Sequence, residues 1–477
     1  MTGAWWARAA VAAVAVLGVA APLGAQAYEQ LGPQAKAYVT VPEPVVALVG
    51  VSVVDGTGAP PKAEQTVLIE RGVIRAVGPS ASVAVPAGAR RMELAGHTVL
   101  PGFVGMHDHT FYTTSLRSTQ MNVTGPLLYL ASGVTTIRTT GSMSPYSEIN
   151  LKRNIEAGMV AGPRMHITGP YLTGAGAGGG MHALVTPEDA RRVVAYWASE
   201  GASWLKFYTL VRKDVLAAAA DEAHKRGLKV TGHLCSVGYR DAVDAGIDAV
   251  EHGLFANSEY DPAKEPDKCP AGFEAKYTTL DVNGPEVQRT FREMIRRKVA
   301  MTSTLAVYEL FVPNRPPLEQ RVLDAMSNDV RNEYLTTRAR LAEPGAFAIS
   351  PAVFRKAQEY EVAFVRAGGL LACGVDPTGN GGALPGFGDQ RNYELLLEAG
   401  FTPVEAVKIM TANGAQVLGN ARIGTVEAGK AADLQVIRGD PVARPAEIRN
   451  TTIVFKDGVG YDAPKMIAAT KGLVGVR

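Results

Sequence analysis

Four apolar, strand-like runs of this chain end in side chains that can bind a metal ion, and this pattern constrains the fold more than any other feature. The side chains are His107, His109, His233, His252 and Asp376. Side chains alternate along a strand, so two residues in a His-x-His pair point to the same side. Imidazole is the commonest protein ligand for divalent metals, and barrel enzymes hold their catalytic groups at the C-terminal ends of parallel strands. Each residue alone could be a core histidine or a capping aspartate, but five at strand ends are hard to attribute to chance.

Lys206 belongs to the same set, because it is the only charged residue in the apolar run at residues 202–208. A lysine in such a strand either extends to the surface or is used for chemistry. Desolvation lowers the pKa of lysine and favours the neutral amine, which can react with carbon dioxide to form a carbamate. The two carbamate oxygens can bridge two cations. A structural lysine at a strand end is the alternative.

With these residues in place, the chain resembles the amidohydrolase superfamily, particularly the branch near imidazolonepropionases and metal-dependent Xaa-Pro-type dipeptidases. The matching positions are residues 100–109, 133–138, 410–415 and 424–434, with Lys206, His233, His252 and Asp376. Two positions depart from the pattern: Gly105 and Thr139 stand where many relatives carry Asp. Neither position is a metal ligand in the family, so these departures concern the substrate pocket.

The resemblance implies an α/β fold, a (β/α)8 TIM barrel beside a smaller β-sandwich formed by both ends of the chain. Strand-like runs alternate with helix-like runs in the middle of the sequence, which favours βα units and a parallel sheet. We predict a composite β-sandwich from residues 28–100 and 420–477 and a hydrolase barrel from residues 101–419. The eight barrel strands are expected to end near His107, Ile137, Ile167, Lys206, His233, His252, Thr302 and Asp376.

Residues 1–27 have the features of a signal peptide. Arg8 supplies the positive start, residues 9–21 are apolar, and residues 25–27 form a small-residue cleavage site. The apolar run is too short to span a bilayer comfortably, and no cysteine follows it to carry a lipid. We therefore expect an exported protein, periplasmic or secreted, with no stable membrane anchor after cleavage.

Composition excludes some partners. A net charge of +2, with 20% charged residues, gives no basis for binding nucleic acid or a membrane surface. The chain has three cysteines, so at least one is unpaired. Cys235 and Cys373 lie in or beside barrel-strand runs and are predicted to be buried thiols, while a disulfide involving Cys269 stays open. A homo-oligomer is also possible.

The sequence also predicts two insertions and the start of one helix. Residues 257–282 are rich in proline and charge and are predicted to form a solvated loop, and residues 308–351 contain a helical stretch. Loops that follow barrel strands surround the active site, so both are expected at its rim. Residues 402–405 combine a Thr cap, a Pro and a Glu in the order of a capping box.

The resemblance implies a binuclear-metal hydrolase, with two divalent ions, most simply zinc. His107, His109 and Asp376 are expected to hold one ion and His233 and His252 the other, bridged by carboxylated Lys206 and a hydroxide. The hydroxide would attack an amide carbonyl, and Asp376 would carry its proton to the leaving amine. The expected substrates are small molecules: dipeptides or N-acyl amino acids.

The sequence offers several candidate substrate contacts and several alternative functions. His182 ends a glycine-rich segment and resembles a family position that contacts the substrate carbonyl, and Tyr208 shares a strand face with Lys206. Arg138 could bind a substrate carboxylate, but a buried ion pair is the stronger alternative. The rival functions are a mononuclear cyclic amidohydrolase of the imidazolonepropionase type, a deaminase, or a silent binding protein on the same scaffold.

Overall fold

The computed structural model describes residues 27–178 and 180–476. The predicted signal peptide, apart from Ala27, lies outside the described residues. Among the helices that the structure describes, none is both long and apolar enough to cross a membrane.

The described residues form the following strands: β1 Val39–Val41, β2 Val45–Val53, β3 Lys62–Glu70, β4 Val73–Pro79, β5 Arg90–Glu93, β6 His97–Pro101, β7 Phe103–Asp108, β8 Phe111–Thr113, β9 Ser118–Gln120, β10 Val134–Thr139, β11 Arg164–His166, β12 Thr168–Thr173, β13 His182–Ala183, β14 Trp204–Phe207, β15 Lys229–Gly232, β16 Ala249–Glu251, β17 Ala300–Ser303, β18 Leu371–Cys373, β19 Leu434–Arg438, β20 Thr451–Lys456 and β21 Val459–Asp462.

The α-helices are α1 Pro33–Lys36, α2 Thr124–Ala131, α3 Pro145–Glu156, α4 Pro187–Ser199, α5 Lys213–Lys225, α6 Tyr239–Asp244, α7 Pro285–Arg297, α8 Leu305–Glu309, α9 Gln320–Ala325, α10 Asn328–Arg340, α11 Pro351–Arg366, α12 Phe387–Ala399, α13 Pro403–Lys408, α14 Gly414–Leu418 and α15 Ala463–Ala469. Short 3-10 turns occupy Tyr28–Gln30, Gly253–Ala256, Phe273–Thr279 and Pro445–Arg449, and a π-helical turn occupies Ile409–Asn413.

A parallel sheet forms the centre of the molecule, in the order β11-β10-β7-β18-β17-β16-β15-β14-β12-β13. Helices follow most of its strands. A parallel sheet requires such connections, because the chain must cross back to the end at which the next strand starts. Strands buried on both faces are apolar almost throughout, and Val104, Leu205, Val230 and Val250 are nearly or fully buried. The predicted α/β class with a parallel sheet is confirmed.

The third strand is longer than predicted. It was expected to end near Ile167, but the chain continues as β12 to Thr173, and Ile167 separates β11 from β12. β11 pairs with β10, whereas β12 pairs with β14, so the two pieces of this strand contact different neighbours. The backbone N–H of Thr168 donates to Thr139 Oγ1 at 3.1 Å, which fixes the start of the second piece.

A second sheet joins the two ends of the chain, in the order β1-β21-β20-β19-β6-β2-β3-β4, with β5 beside β2. β6 and β19 pair antiparallel, with Val99 opposite Val436. Both residues are fully buried in an apolar cluster that also contains Leu48 and Phe455. This sheet therefore requires strands from both the beginning and the end of the described chain.

The insertion at residues 257–282 is the predicted solvated loop only in part: most of residues 262–272 are exposed, but the start of the segment and several aromatic side chains are buried. Asn257 and Ser258 are fully buried, as are nearly all of Phe273 and Tyr277. Apolar and aromatic residues dispersed among the charges anchor the loop against α11, where Tyr260 Oη lies 3.1 Å from Tyr360 Oη. At the far end of the chain the predicted capping box of α13 is confirmed, since Thr402 Oγ1 accepts from the N–H of Glu405 at 3.3 Å.

One of the two cysteines predicted as buried thiols is disulfide-bonded. Cys235 pairs with Cys269, whose Cα lies 5.0 Å away. The pairing is possible because the insertion folds back over the loop after β15, where Ser258 Oγ donates to the carbonyl of Cys235 at 2.5 Å. Cys373 is free and buried, as predicted.

Candidate metal centre and active site

Two histidines lie where β7 ends. His107 is in the strand and His109 follows it, and both are almost completely buried. His109 Nδ1 lies 3.0 Å from the carbonyl oxygen of Gly141. A carbonyl can only accept, so this nitrogen carries a proton and Nε2 is the ring nitrogen left for another partner. That Nε2 faces the Asp376 carboxylate and the Tyr171 hydroxyl, each at 3.2 Å.

Asp376 lies among three of the histidines. Its Oδ2 is 3.6 Å from His107 Nε2 and 3.9 Å from His252 Nδ1, and its Oδ1 accepts a hydrogen bond from Thr378 Oγ1 at 3.0 Å. Asp376 and His252 both have left-handed backbones, with φ of 49° and 67°. Such conformations cost free energy in non-glycine residues and are concentrated at functional sites.

The imidazole of His252 lies between two other rings. Its centroid is 4.4 Å from His107 and 4.4 Å from His233. Tyr208 packs on the open side of His233, with 4.5 Å between centroids. The structure thus brings together His107, His109, His233, His252 and Asp376, and places Tyr208 beside them.

Lys206 is fully buried on β14. Within residues 27–178 and 180–476 its Nζ has no hydrogen-bond partner. Burial lowers the pKa of Lys206 to about 8, although the negative charges of Glu251 and Asp376 act in the opposite direction. The amine is therefore more readily deprotonated than that of an exposed lysine.

Burial favours the neutral imidazole at three histidines of the cluster, His107, His233 and His252. Burial and the neighbouring positive charge of Lys206 lower the pKa of His107 well below its usual range and that of His233 to about 3. Burial opposes ionisation of Asp376, but His107, His109 and Lys206 more than offset this and lower its pKa. Neutral imidazoles and an ionised carboxylate are the protonation states that bind metals.

Arg138 belongs to a buried network of hydrogen bonds. It has no exposed surface, and its Nη2 lies 2.5 Å from Glu251 Oε1. Arg138 also donates to the carbonyl of Met106 and lies 4.5 Å over the ring of Trp204. The structure therefore shows the buried ion pair that the sequence offered as the alternative, and a contact between Arg138 and a substrate carboxylate stays a prediction.

Glu251 is one site residue that the sequence interpretation missed. It precedes His252, and its Oε2 lies 2.8 Å from His107 Nδ1. Burial raises the pKa of a carboxyl, but Arg138, Lys206 and the hydroxyl of Thr231 outweigh this and lower the pKa of Glu251. The signal was present: Glu251 is a charge at the end of an apolar run, the same feature that singled out Lys206.

His182 is not brought into this cluster. It lies exposed on β13, whose only pairing within the described residues is with β12, where Leu172 is its partner. Its predicted contact with a substrate carbonyl stays a prediction. Tyr171, which the sequence did not single out, instead contacts His109 directly.

The two departures from the family pattern have local structural reasons. A Cβ at Gly105 would collide with the carboxylate of Asp108, so a larger residue there requires that carboxylate to move. Thr139 Oγ1 accepts the backbone hydrogen bond that starts β12. Both residues therefore have a role in the packing and hydrogen bonding of the parallel sheet.

The donor set has the composition of a metal site. Ligand atoms of His107, His252 and Asp376 all lie within 4.8 Å of one another, and all three residues are buried. Burying so many polar groups is costly unless each is hydrogen-bonded or binds a cation. The chemistry of this cluster fits divalent metals such as zinc, which bind imidazole and carboxylate.

Comparisons with known proteins identify the family of the chain. The chain matches the model of the amidohydrolase family over residues 98–268 and 382–460. A solved structure from Bifidobacterium longum, provisionally assigned as a prolidase, is 25% identical, with a TM-score of 0.64, covering 90% of this chain and 100% of that chain. A Xaa-Pro dipeptidase with methionine bound in its active site is 18% identical, with a TM-score of 0.65 and coverage of 88% and 100%. A bottromycin amidohydrolase is 19% identical, with a TM-score of 0.66 and coverage of 95% of both chains. No curated protein matches the chain.

The matched segments span just over half of the sequence and contain the histidines and Lys206, while Asp376 lies between them. The resemblance inferred from the motifs is confirmed. The chain belongs to the amidohydrolase family and is a hydrolase of carbon–nitrogen amide bonds.

Proposed function

We propose that this protein is an exported, binuclear metal-dependent amidohydrolase that cleaves dipeptides or N-acyl amino acids. The observation that carries the proposal is the buried amine of Lys206, which lacks a hydrogen-bond partner among the described residues and lies in the field of Glu251 and Asp376. A buried ammonium without a partner is costly. A carbamate on this nitrogen would convert it into an anionic ligand for two cations.

The residues fit a two-ion site. His107, His109 and Asp376 would hold one ion, His233 and His252 the other, and carboxylated Lys206 would bridge them. When bound, divalent ions such as zinc supply Lewis acidity and bring the pKa of water to about 7.

Asp376 is the proposed proton shuttle. It would accept the proton of the attacking water and deliver it to the leaving nitrogen, a task that contributes roughly 10²–10⁴-fold to a rate. Thr378 Oγ1 donates to its Oδ1 at 3.0 Å, so the carboxylate is oriented before substrate binds. Tyr208, half-buried over His233, is placed to line the substrate pocket, and His182 would require the glycine-rich loop to approach.

The barrel itself is part of the proposal. The pairings β10–β11 and β12–β14, with only Ile167 between β11 and β12, support closure of the sheet into a (β/α)8 barrel. All proposed ligands then lie at the C-terminal ends of its strands, where such enzymes hold their active sites.

Export is supported by the disulfide. Disulfides persist in oxidising compartments and are rare in the cytosol. The Cys235–Cys269 bond is compatible with a periplasmic or secreted protein. The names of two structural neighbours, a prolidase and a Xaa-Pro dipeptidase, support dipeptides as the first substrates to examine.

The decisive experiment combines metal content with substrate screening. Mature protein is purified with bicarbonate, its zinc is quantified, and hydrolysis of dipeptide and N-acyl amino acid panels is measured. We expect two equivalents of metal and release of a free amine that chelators abolish. One equivalent, with turnover of cyclic amides only, would overturn the proposal in favour of the mononuclear alternative.

A further inference from the structure

Glu251 contacts strands that are not its neighbours in the sheet. It ends β16, which pairs with β15 and β17, yet its carboxylate reaches His107 on β7 and Arg138 on β10. The third contact is the hydroxyl of Thr231 on β15. One fully buried side chain therefore joins three strands directly below the proposed metal centre.

The two carboxylate oxygens of Glu251 have different partners. Oε1 accepts from Arg138 Nη2 at 2.5 Å and from Thr231 Oγ1. Oε2 lies 2.8 Å from His107 Nδ1. An ionised carboxylate can only accept, so His107 must carry its proton on Nδ1. Its Nε2, which faces Asp376, is then left with a lone pair.

His107 differs in this respect from its neighbours. His109 Nδ1 is held by a backbone carbonyl, and His252 Nδ1 by the hydroxyl of Thr304 at 2.7 Å. Of the Nδ1 atoms of these three histidines, only that of His107 has a carboxylate within hydrogen-bond distance. Arg138 strengthens the arrangement, because it also donates to the carbonyl of Met106, the residue before His107.

We propose that Glu251 is a positioning residue that fixes His107 as its Nδ1–H tautomer and aims Nε2 at the metal centre, with Arg138 fixing which oxygen of Glu251 faces the imidazole. Outer partners of this type commonly change metal affinity by about 10–100-fold. The inference rests on the proposed metal-dependent function, but the tautomer of His107 can be measured without metal.

Glu251→Gln gives a sharp prediction. Arg138 can only donate, so the amide oxygen of the glutamine must face Arg138 and Thr231. Its NH₂ group then faces His107 and donates to Nδ1, which moves the imidazole proton to Nε2. The metal-facing nitrogen thereby loses its lone pair.

Two further variants separate positioning from folding. In Glu251→Gln combined with Arg138→Met the amide is free to turn its oxygen toward His107, so the Nδ1–H tautomer should return. Glu361→Gln is the matched control, because Glu361 is equally buried but accepts from Ser303 Oγ rather than from an imidazole.

The experiment records ¹⁵N imidazole spectra of the metal-free proteins, with the His107 signal assigned by its loss in His107→Asn, and then zinc titrations. We expect the Nδ1–H tautomer in the wild type and in Glu361→Gln, the Nε2–H tautomer in Glu251→Gln, and zinc binding weakened about 10–100-fold in Glu251→Gln alone. An Nε2–H tautomer in the wild type, or an unchanged tautomer in Glu251→Gln, would overturn the inference. If the wild type bound no zinc, the proposed function would fail, while the spectra would still decide the role of Glu251.

Discussion

Asp376 Oδ1 and His109 Nε2 lie 3.2 Å apart, although the two residues are far apart in the sequence. His109 follows β7 and Asp376 follows β18. The contact exists because β18 pairs directly with β7, with Cys373 opposite Gly105. β7 and β18, which are the first and the last strand of the parallel sheet in chain order, thus bring a histidine and a carboxylate together at one centre. A metal-dependent hydrolase needs this combination of a neutral ligand and a proton acceptor.

Asp376→Asn should separate proton transfer from metal binding. The amide keeps an oxygen for a metal but cannot accept a proton, so we expect kcat to fall about 10²–10⁴-fold while folding and most metal content are kept. Turnover, metal content and circular dichroism are measured on the same preparation. Asp389→Asn is the control, because Asp389 is also buried but accepts from the N–H of Gly386 at 2.9 Å. Near-normal turnover in Asp376→Asn would refute the shuttle role.

Lys206→Met should abolish the bridging ligand. With ¹³C-labelled bicarbonate, we expect a carbamate signal in the wild type that is missing in this variant, together with loss of at least one equivalent of metal. Lys229→Met is the matched control: Lys229 is half-buried on the adjacent strand, and its Nζ donates to the carbonyl of Val417 at 2.6 Å. A carbamate signal that survives in Lys206→Met would assign the modification to another amine.

The strand-end ligands could be predicted from sequence because each depends on local information. An apolar run of strand length that ends in His or Asp places that side chain at a sheet edge, whatever the path of the chain elsewhere. The same reasoning would have included Glu251, but its role could not be inferred. That role depends on His107 and Arg138, which reach it across strands remote in the pairing order.

Other features depend on long-range geometry and carry no local signal. The left-handed backbones of His252 and Asp376 are imposed by the turn that each strand makes into the site. The Cys235–Cys269 bond depends on how the insertion after β16 folds back. The division of the third strand at Ile167 follows from its two different neighbours. Only the assembled sheet determines these features.

Removing the disulfide should destabilise the protein. Cys235→Ser combined with Cys269→Ser frees a loop whose ends are 34 residues apart, and the expected loss in free energy of unfolding is about 2–4 kcal/mol. Urea unfolding with and without reductant measures it. The wild type should lose stability in reductant, whereas the double variant should not respond. Cys373→Ser, which changes the free thiol, should keep the response to reductant; equal stability of all variants would mean that the bond does not constrain the fold.

The stability of the protein should fall as the pH rises through the range in which Glu361 titrates. Burial raises the pKa of Glu361 to about 8, above the 4.5 of an unperturbed glutamate. Between these values the folded protein keeps a proton that the unfolded chain has released, so unfolding releases a proton and stability decreases with pH. Below the lower value the contribution is fully present, and above the higher value it is lost.

Glu361→Gln tests this assignment, because an amide does not titrate and still can accept from Ser303 Oγ. Urea midpoints measured from about pH 5 to about pH 8 should show a shallower decline in this variant than in the wild type. Glu359→Gln is the control on the same helix, since Glu359 is partly exposed and pairs with Lys356 at 2.6 Å. Its profile should be parallel to that of the wild type. If Glu361→Gln also gave a parallel profile, the decline in stability would have to arise from another buried acid, such as Glu148, whose pKa burial raises to about 7.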